Sequence, residues 1–263
     1  MSVQGSMSEL KHYFRFPLQD RESRTRFALG CALMLAGYVV PILPGLLVYG
    51  YALQILRRSA QGEAPSMPAW EDWPGLLSLG FRGTIFQLLF TLPALAVFLV
   101  GFGAYFGALI PFSIASSTDA GVSDPAILGF LAAMLILMLS IVLGSVLLVL
   151  GLLPLPASIA HFAAQDRLAA AFHIREWWRI LSANWLGYFV AFVVVSGIFG
   201  LAYWAFMILY STLVFLCVGF LVIVPAGVYT LLVGAALFGE AYREGAESLQ
   251  ARSGSATDTA IPA

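Results

Sequence analysis

The sequence predicts an all-α protein: a polytopic transmembrane helical bundle with proline-broken helices and a proline-centred internal repeat. Three observations carry this. Of 263 residues, 60% are hydrophobic and only 10% charged, whereas soluble domains carry about 25% charged residues. The mean hydropathy of +0.91 means more apolar surface than a water-soluble core can hide, so the solvent is a bilayer. Long apolar runs recur along the chain, and several hold a proline well inside them.

Residues 1–26 form a basic segment, with Lys11, Arg15, Arg21, Arg24 and Arg26 set among Phe14, Phe16 and Leu18. Pro17 prevents one long helix. The mixture suits either a stretch lying on an anionic membrane surface or a disordered basic tail. The first apolar run begins only at Phe27, is longer than a signal-peptide core and lacks a clear small-residue cleavage site, so no cleavable signal is expected.

The transmembrane domain is expected over residues 27–245. Its apolar segments cover about 27–56, 84–114, 126–153, 186–206 and 208–238. About 20 residues suffice to cross, so the last four segments can each span. Residues 246–263 read as a disordered C-terminal tail.

The first segment is ambiguous. Every Lys and Arg lies in the N-terminal segment, the loop with Arg57, Arg58 and Arg82, the stretch with Arg167, Arg175 and Arg179, or the C-terminus with Arg243 and Arg252. The positive-inside rule puts all four regions in the cytoplasm. Segments two plus three, and four plus five, satisfy that. Segment one satisfies it only as a re-entrant hairpin turning at Pro41-Ile42-Leu43-Pro44-Gly45. A single kinked span, with Arg57, Arg58 and Arg82 outside, is the alternative.

Prolines also mark the repeat. Pro44-Gly45-Leu46 is echoed at Pro156-Ala157-Ser158 and at Pro225-Ala226-Gly227, and Glu71-Asp72-Trp73 is echoed at Glu176-Trp177-Trp178. Proline-broken membrane helices also arise for packing reasons alone.

Few residues invite chemistry. Ionisable groups in a bilayer are costly and so draw notice. The candidate polar site comprises Gln87, His161, Gln165, Asp166 and Asn184. His161 and Gln165, four apart, share a helix face. They mark either an amphipathic surface helix, with Ile159, Phe162, Leu168 and Phe172 toward lipid, or a ligand or proton site. Glu240 and Arg243 read as a helix end reaching headgroups. A second candidate is a partner-facing loop with Glu63, Trp70, Glu71, Asp72 and Trp73. Asp119 and Asp124 offer too few oxygens for a cation, and Asp124-Pro125 reads as a helix start. Cys31 and Cys217 lack partners at ligand spacing and read as small buried hydrophobes. Gly103-x-x-x-Gly107 permits close helix approach, within the chain or between copies.

No nucleophile elbow, phosphate loop or metalloprotease motif occurs, and the net charge of -1 offers no field for nucleic acid. The expectation is therefore a non-enzymatic protein without cofactor or metal. Its expected partners are the lipid bilayer and a membrane protein or second copy, in an assembly role. A small transporter or lipid-handling protein, with a cavity between broken helices, is the alternative. An intramembrane enzyme would require His161 and an acidic residue to converge on one pocket.

Pro41-x-x-Pro44-Gly45, Gly50-Tyr51, Gly62-Glu63, Pro68-x-Trp70-x-Asp72-Trp73 and Gly80 carry a resemblance. Through these positions the chain resembles a bacterial and archaeal membrane family, domain of unknown function 4013. The likeness is strongest from Gly37 to Gly83 and extends to about Gly245. It implies a multi-pass inner-membrane protein and brings no activity, substrate or catalytic residue with it.

Overall fold

The computed structural model describes residues 11–117, 123–165, 173–211 and 216–258. They contain no strand, and after helical backbone at 11–15 come α1 Arg21–Ala36, α2 Leu43–Ala60, α3 Trp73–Ser116, α4 Asp124–Leu152, α5 Leu155–Gln165, α6 Ile174–Ala183, α7 Trp185–Ser211 and α8 Leu216–Asp258. A 3₁₀ turn over Phe16–Leu18 precedes α1. Among the described residues four helical stretches are long and apolar enough to cross a membrane: Trp73–Ser116, Asp124–Gln165, Trp185–Ser211 and Leu221–Arg252. The molecule is a helical membrane protein.

The chain divides into two compact units, Met1–Phe86 with Pro156–Ala263, and Gln87–Leu155. In the second unit, the later part of α3 and α4 run antiparallel. A Cβ built at Gly101 would meet Ser140, one at Gly144 the Phe98 ring and one at Gly151 the Phe90 carbonyl. Phe112 stacks on Phe130 at 4.6 Å. Small residues let the two backbones close up, which is how helices associate where no hydrophobic force separates them from lipid.

The first unit is built on α8, which packs against α1, α2, α6 and α7. Its core holds Tyr51, Ile55, Phe162, Leu232 and Val233, all buried. Ser59 Oγ donates to the Ala236 carbonyl at 2.7 Å where α2 crosses α8. A Cβ at Gly239 would lie 2.5 Å from the Leu56 carbonyl oxygen, so glycine sets how closely those helices approach.

Segment one is two helices, and the chain reverses between them. Trp70 reports the reversal. Its ring stacks on Tyr51 of α2 with centroids 4.0 Å apart, and its Nε1 donates to the Arg26 carbonyl at the start of α1. The turn includes Ile42 at φ 77° and ψ −61°, with Leu43 N–H donating to the Pro41 carbonyl at 3.0 Å. That is the strained γ-turn, and it lies where the prolines placed it. The helices have 16 and 18 residues, about 24 and 27 Å at 1.5 Å per residue. Both are shorter than the ~30 Å hydrocarbon core.

Three features go beyond the sequence reading. The C-terminal stretch is helical to Asp258, because Arg243 pairs with Glu240 and with Glu247 along one face and such pairs carry a helix into water. The N-terminal segment docks on the protein: Phe16 and Pro17 are buried, and Tyr229 of α8 donates its hydroxyl to the Phe14 carbonyl at 2.9 Å. Asp20 caps α1 by accepting from the Ser23 N–H at 2.7 Å, which holds its carboxyl below the usual range. The third echo of the repeat also departs. Pro44 and Pro156 fall in the first turns of α2 and α5, whereas Pro225 lies inside α8. Helix α4 begins at Asp124 with Pro125 in its first turn. Cys31 is a buried free thiol, and Asp119, Asp166, Arg167 and the Cys217 side chain lie outside the described residues.

Candidate functional site

Two polar features arise in the first unit. The first centres on His161. Helix α5 starts at the Pro154-Leu155-Pro156 break and carries Ala157, Ala160 and Ala163, all buried. These small side chains let neighbouring helices cover it. Consequently His161 is only 2% exposed, and Ile159 and Phe162 are buried beside it. The amphipathic surface helix is therefore corrected: α5 is enclosed by protein, and its polar groups find protein partners, as buried polar groups must.

Those partners come from three helices. His161 Nδ1 lies 2.8 Å from the Tyr242 hydroxyl of α8. Its Nε2 lies 3.0 Å from the Gln165 amide nitrogen and 3.2 Å from a carboxylate oxygen of Glu176 on α6. Nε2 thus faces a donor and an acceptor. A proton on Nε2 selects Glu176, and a bare Nε2 selects Gln165. The cluster fastens α5, α6 and α8 together.

The second feature is an open cleft of about 830 Å³ between the start of α7 and the middle of α8. Its apolar wall is Leu186, Val190, Ala191 and Val194 on α7, with Leu237 on α8. From Asn184 to Val194 the wall is ten residues long, about 15 Å, or half a hydrocarbon core. Trp185, exposed at the polar end, suits an interfacial anchor.

The polar lip carries Glu63, Glu240, Arg243 and Glu244. Gly62, at φ +85°, turns the chain against the Arg243 side chain and so brings Glu63 to the lip. Arg243 is engaged by Glu240 through Nε and Nη2 and by Glu247 through Nη1. Asn184 has both amide hydrogens in use, toward the Ala241 carbonyl at 3.0 Å and Glu244 at 2.9 Å, while its oxygen caps α7 by accepting from Gly187 N–H. Glu63 has Arg58 Nε at 3.9 Å. His12 and Tyr13 close the far side. Burial and the neighbouring Glu240 carboxylate push the Tyr13 hydroxyl well above its ordinary range, keeping it protonated.

The predicted polar set is thus divided. His161 and Gln165 meet. Asn184 belongs to the cleft, which neither His161 nor Gln87 lines. Gln87 lies in the other unit, where its carbonyl accepts from Thr91 Oγ1. Asp166 lies outside the described residues. In the predicted loop, Glu63, Glu71, Asp72 and Trp73 are exposed, but Trp70 turns inward to Tyr51 and Arg26. Asp72 caps α3 by accepting from Gly75 N–H at 3.0 Å. Glu176, Tyr242, His12, Tyr13 and Glu244 were not singled out as site residues. The histidine four positions before a glutamine gave no signal for partners that lie on other helices.

Residues 33–238 match the family model described as a protein of unknown function, DUF4013. The chain belongs to this family. The DUF4013 region includes α2, α5 to α7 and the apolar wall of the cleft, and it stops before Glu240, Arg243 and Glu244. No curated protein and no solved structure gives a significant match. Among the described residues no group of three or more His, Cys, Asp or Glu side chains could hold a metal ion.

Proposed function

We propose that the protein is a non-enzymatic lipid-handling protein of the prokaryotic inner membrane, which seats one lipid against α7 in the cleft. The cleft itself carries this reading. Its volume lies in the ~300–1,000 Å³ range of small-molecule sites. It also has the polarity of a lipid, apolar along the span and charged at the end. Glu176 does approach His161, but both nitrogens of that ring are occupied by protein groups and the cluster does not line the cleft. That favours fastening over catalysis.

The reversal of α1 and α2 supports cytoplasmic placement of the basic termini. Trp70 holds the Arg26 end of α1 to the loop that follows Arg57 and Arg58, so both basic regions lie at one end of the hairpin, as the positive-inside rule asks.

The test fills the cleft. Val190 is 47% exposed on its wall, and Val193, 50% exposed, lies off it. In native mass spectrometry of gently extracted protein, the wild type and Val193→Trp are expected to retain one lipid, and Val190→Trp to lose most of it. Equal retention by all three would refute the reading.

Assembly with another membrane protein or a second copy is the second reading. It is favoured by Gly103 and Gly107, where an added Cβ would meet nothing within 4 Å. Among the described residues nothing fills that close-approach face, and a stoichiometric second chain in the same spectra is the expected sign.

A further inference from the structure

We propose that the lipid seated in the cleft carries a primary-amine headgroup, with its ammonium held by Glu244 and Glu63. This deepens the lipid-handling reading and rests on it.

The charge on the lip argues for the amine. Three carboxylates, Glu63, Glu240 and Glu244, face the cleft, against one guanidinium, that of Arg243. Arg243 is already shared between Glu240 and Glu247, so it has little positive charge to offer a phosphate. Among the described residues Glu244 is met by the neutral amide of Asn184, and Glu63 has Arg58 at the outer limit of an ion pair, 3.9 Å. Of the three lip carboxylates, these two are therefore the most weakly compensated. A headgroup that is anionic overall would be repelled there, since like charges close together in a partly dry site oppose one another strongly.

Geometry separates a primary amine from a quaternary one. An ammonium presents three N–H donors, which carboxylates accept. A choline headgroup has none and is ordinarily held in a cage of aromatic faces, yet among the described residues the aromatic rings lining the cleft are Tyr13 and the imidazole of His12. The apolar wall supplies the rest. An acyl chain laid along Leu186, Val190 and Val194 leads from the lip toward mid-membrane, so that the headgroup reaches the carboxylates without leaving the interface.

The test titrates the delipidated full chain, in one detergent, with phosphatidylethanolamine, phosphatidylcholine and phosphatidylglycerol of identical acyl chains. Bound lipid is counted by native mass spectrometry. Phosphatidylethanolamine is expected to bind at least about tenfold more tightly than the other two. Glu244→Gln, which keeps an acceptor for Asn184, and the exposed Glu63→Gln are each expected to narrow that preference several-fold, by weakening phosphatidylethanolamine binding more than phosphatidylcholine binding. Equal or tighter binding of phosphatidylglycerol or phosphatidylcholine, lost in Val190→Trp, would overturn the headgroup assignment and leave the lipid-handling reading standing. No saturable binding of any of the three would overturn both.

Discussion

Gly50→Ala is expected to destabilise the protein by about 3 kcal/mol or more, an overpacking cost at the upper end of what added methylenes cause. A Cβ at Gly50 would lie 1.9 Å from the Leu76 carbonyl oxygen and 3.0 Å from the Gly80 nitrogen. One at Gly80 would lie 1.9 Å from the Leu46 carbonyl oxygen. The start of α3 therefore rests directly on α2, backbone against backbone. No side chain stands between them to change rotamer, so relief requires moving a whole helix. Tyr51 and Leu53 of α2, both buried beside this crossing, would lose contacts as it moved. Gly107→Ala is the control, because its Cβ enters open space. It should be neutral or gain up to about 1 kcal/mol from alanine's better helix propensity. Unfolding in a fixed detergent, followed by tryptophan fluorescence, measures both. A Gly50→Ala protein within 0.5 kcal/mol of wild type would mean that the helices do not cross at these glycines.

His161→Ala is expected to cost about 3 kcal/mol. Part is the cavity left among Ala157, Ala160 and Phe162, which are fully packed. Part is the Tyr242 hydroxyl, 8% exposed as a residue, stranded without its partner at about 1–3 kcal/mol. Glu176 contributes little, because its side chain is 56% exposed and water replaces the imidazole. Tyr242→Phe alone should cost about 1 kcal/mol. The two effects must not add, since after either change the bond between His161 and Tyr242 is already gone. A coupling energy of about 1 kcal/mol in the double-mutant cycle is the expected result. Strict additivity would remove the Tyr242–His161 bond from the account.

Particular residues show what could be read from the chain and what could not. The spans were legible because apolar length is local information: α4 and α7 begin and end within a few residues of the runs that announced them. The turn at Pro41–Pro44 was legible for the same reason. Whether the chain doubled back there was not, because the answer lies in contacts between Trp70, Tyr51 and Arg26, up to 44 positions apart. The His161–Gln165 pair could be seen from its spacing. Glu176 and Tyr242, 15 and 81 residues from His161, carry no local mark of where they go. Tyr242 is an interior hydrogen-bonding group. The cleft was least legible. Its lip takes Tyr13, Glu63, Asn184 and Glu244 from four distant stretches, and Gly62's positive φ sets one of them in place.

Photo-crosslinking in the native membrane tests the central claim most directly. A phospholipid with a photoreactive group in its acyl chain is incorporated, irradiated, and its adducts mapped by peptide mass spectrometry. If the cleft seats a lipid, adducts concentrate between Leu186 and Val194 and at Leu237, well above those at Leu99 and Leu139, which are more exposed than Val190. Adducts that simply follow exposure, with no excess on the cleft wall, would contradict the account.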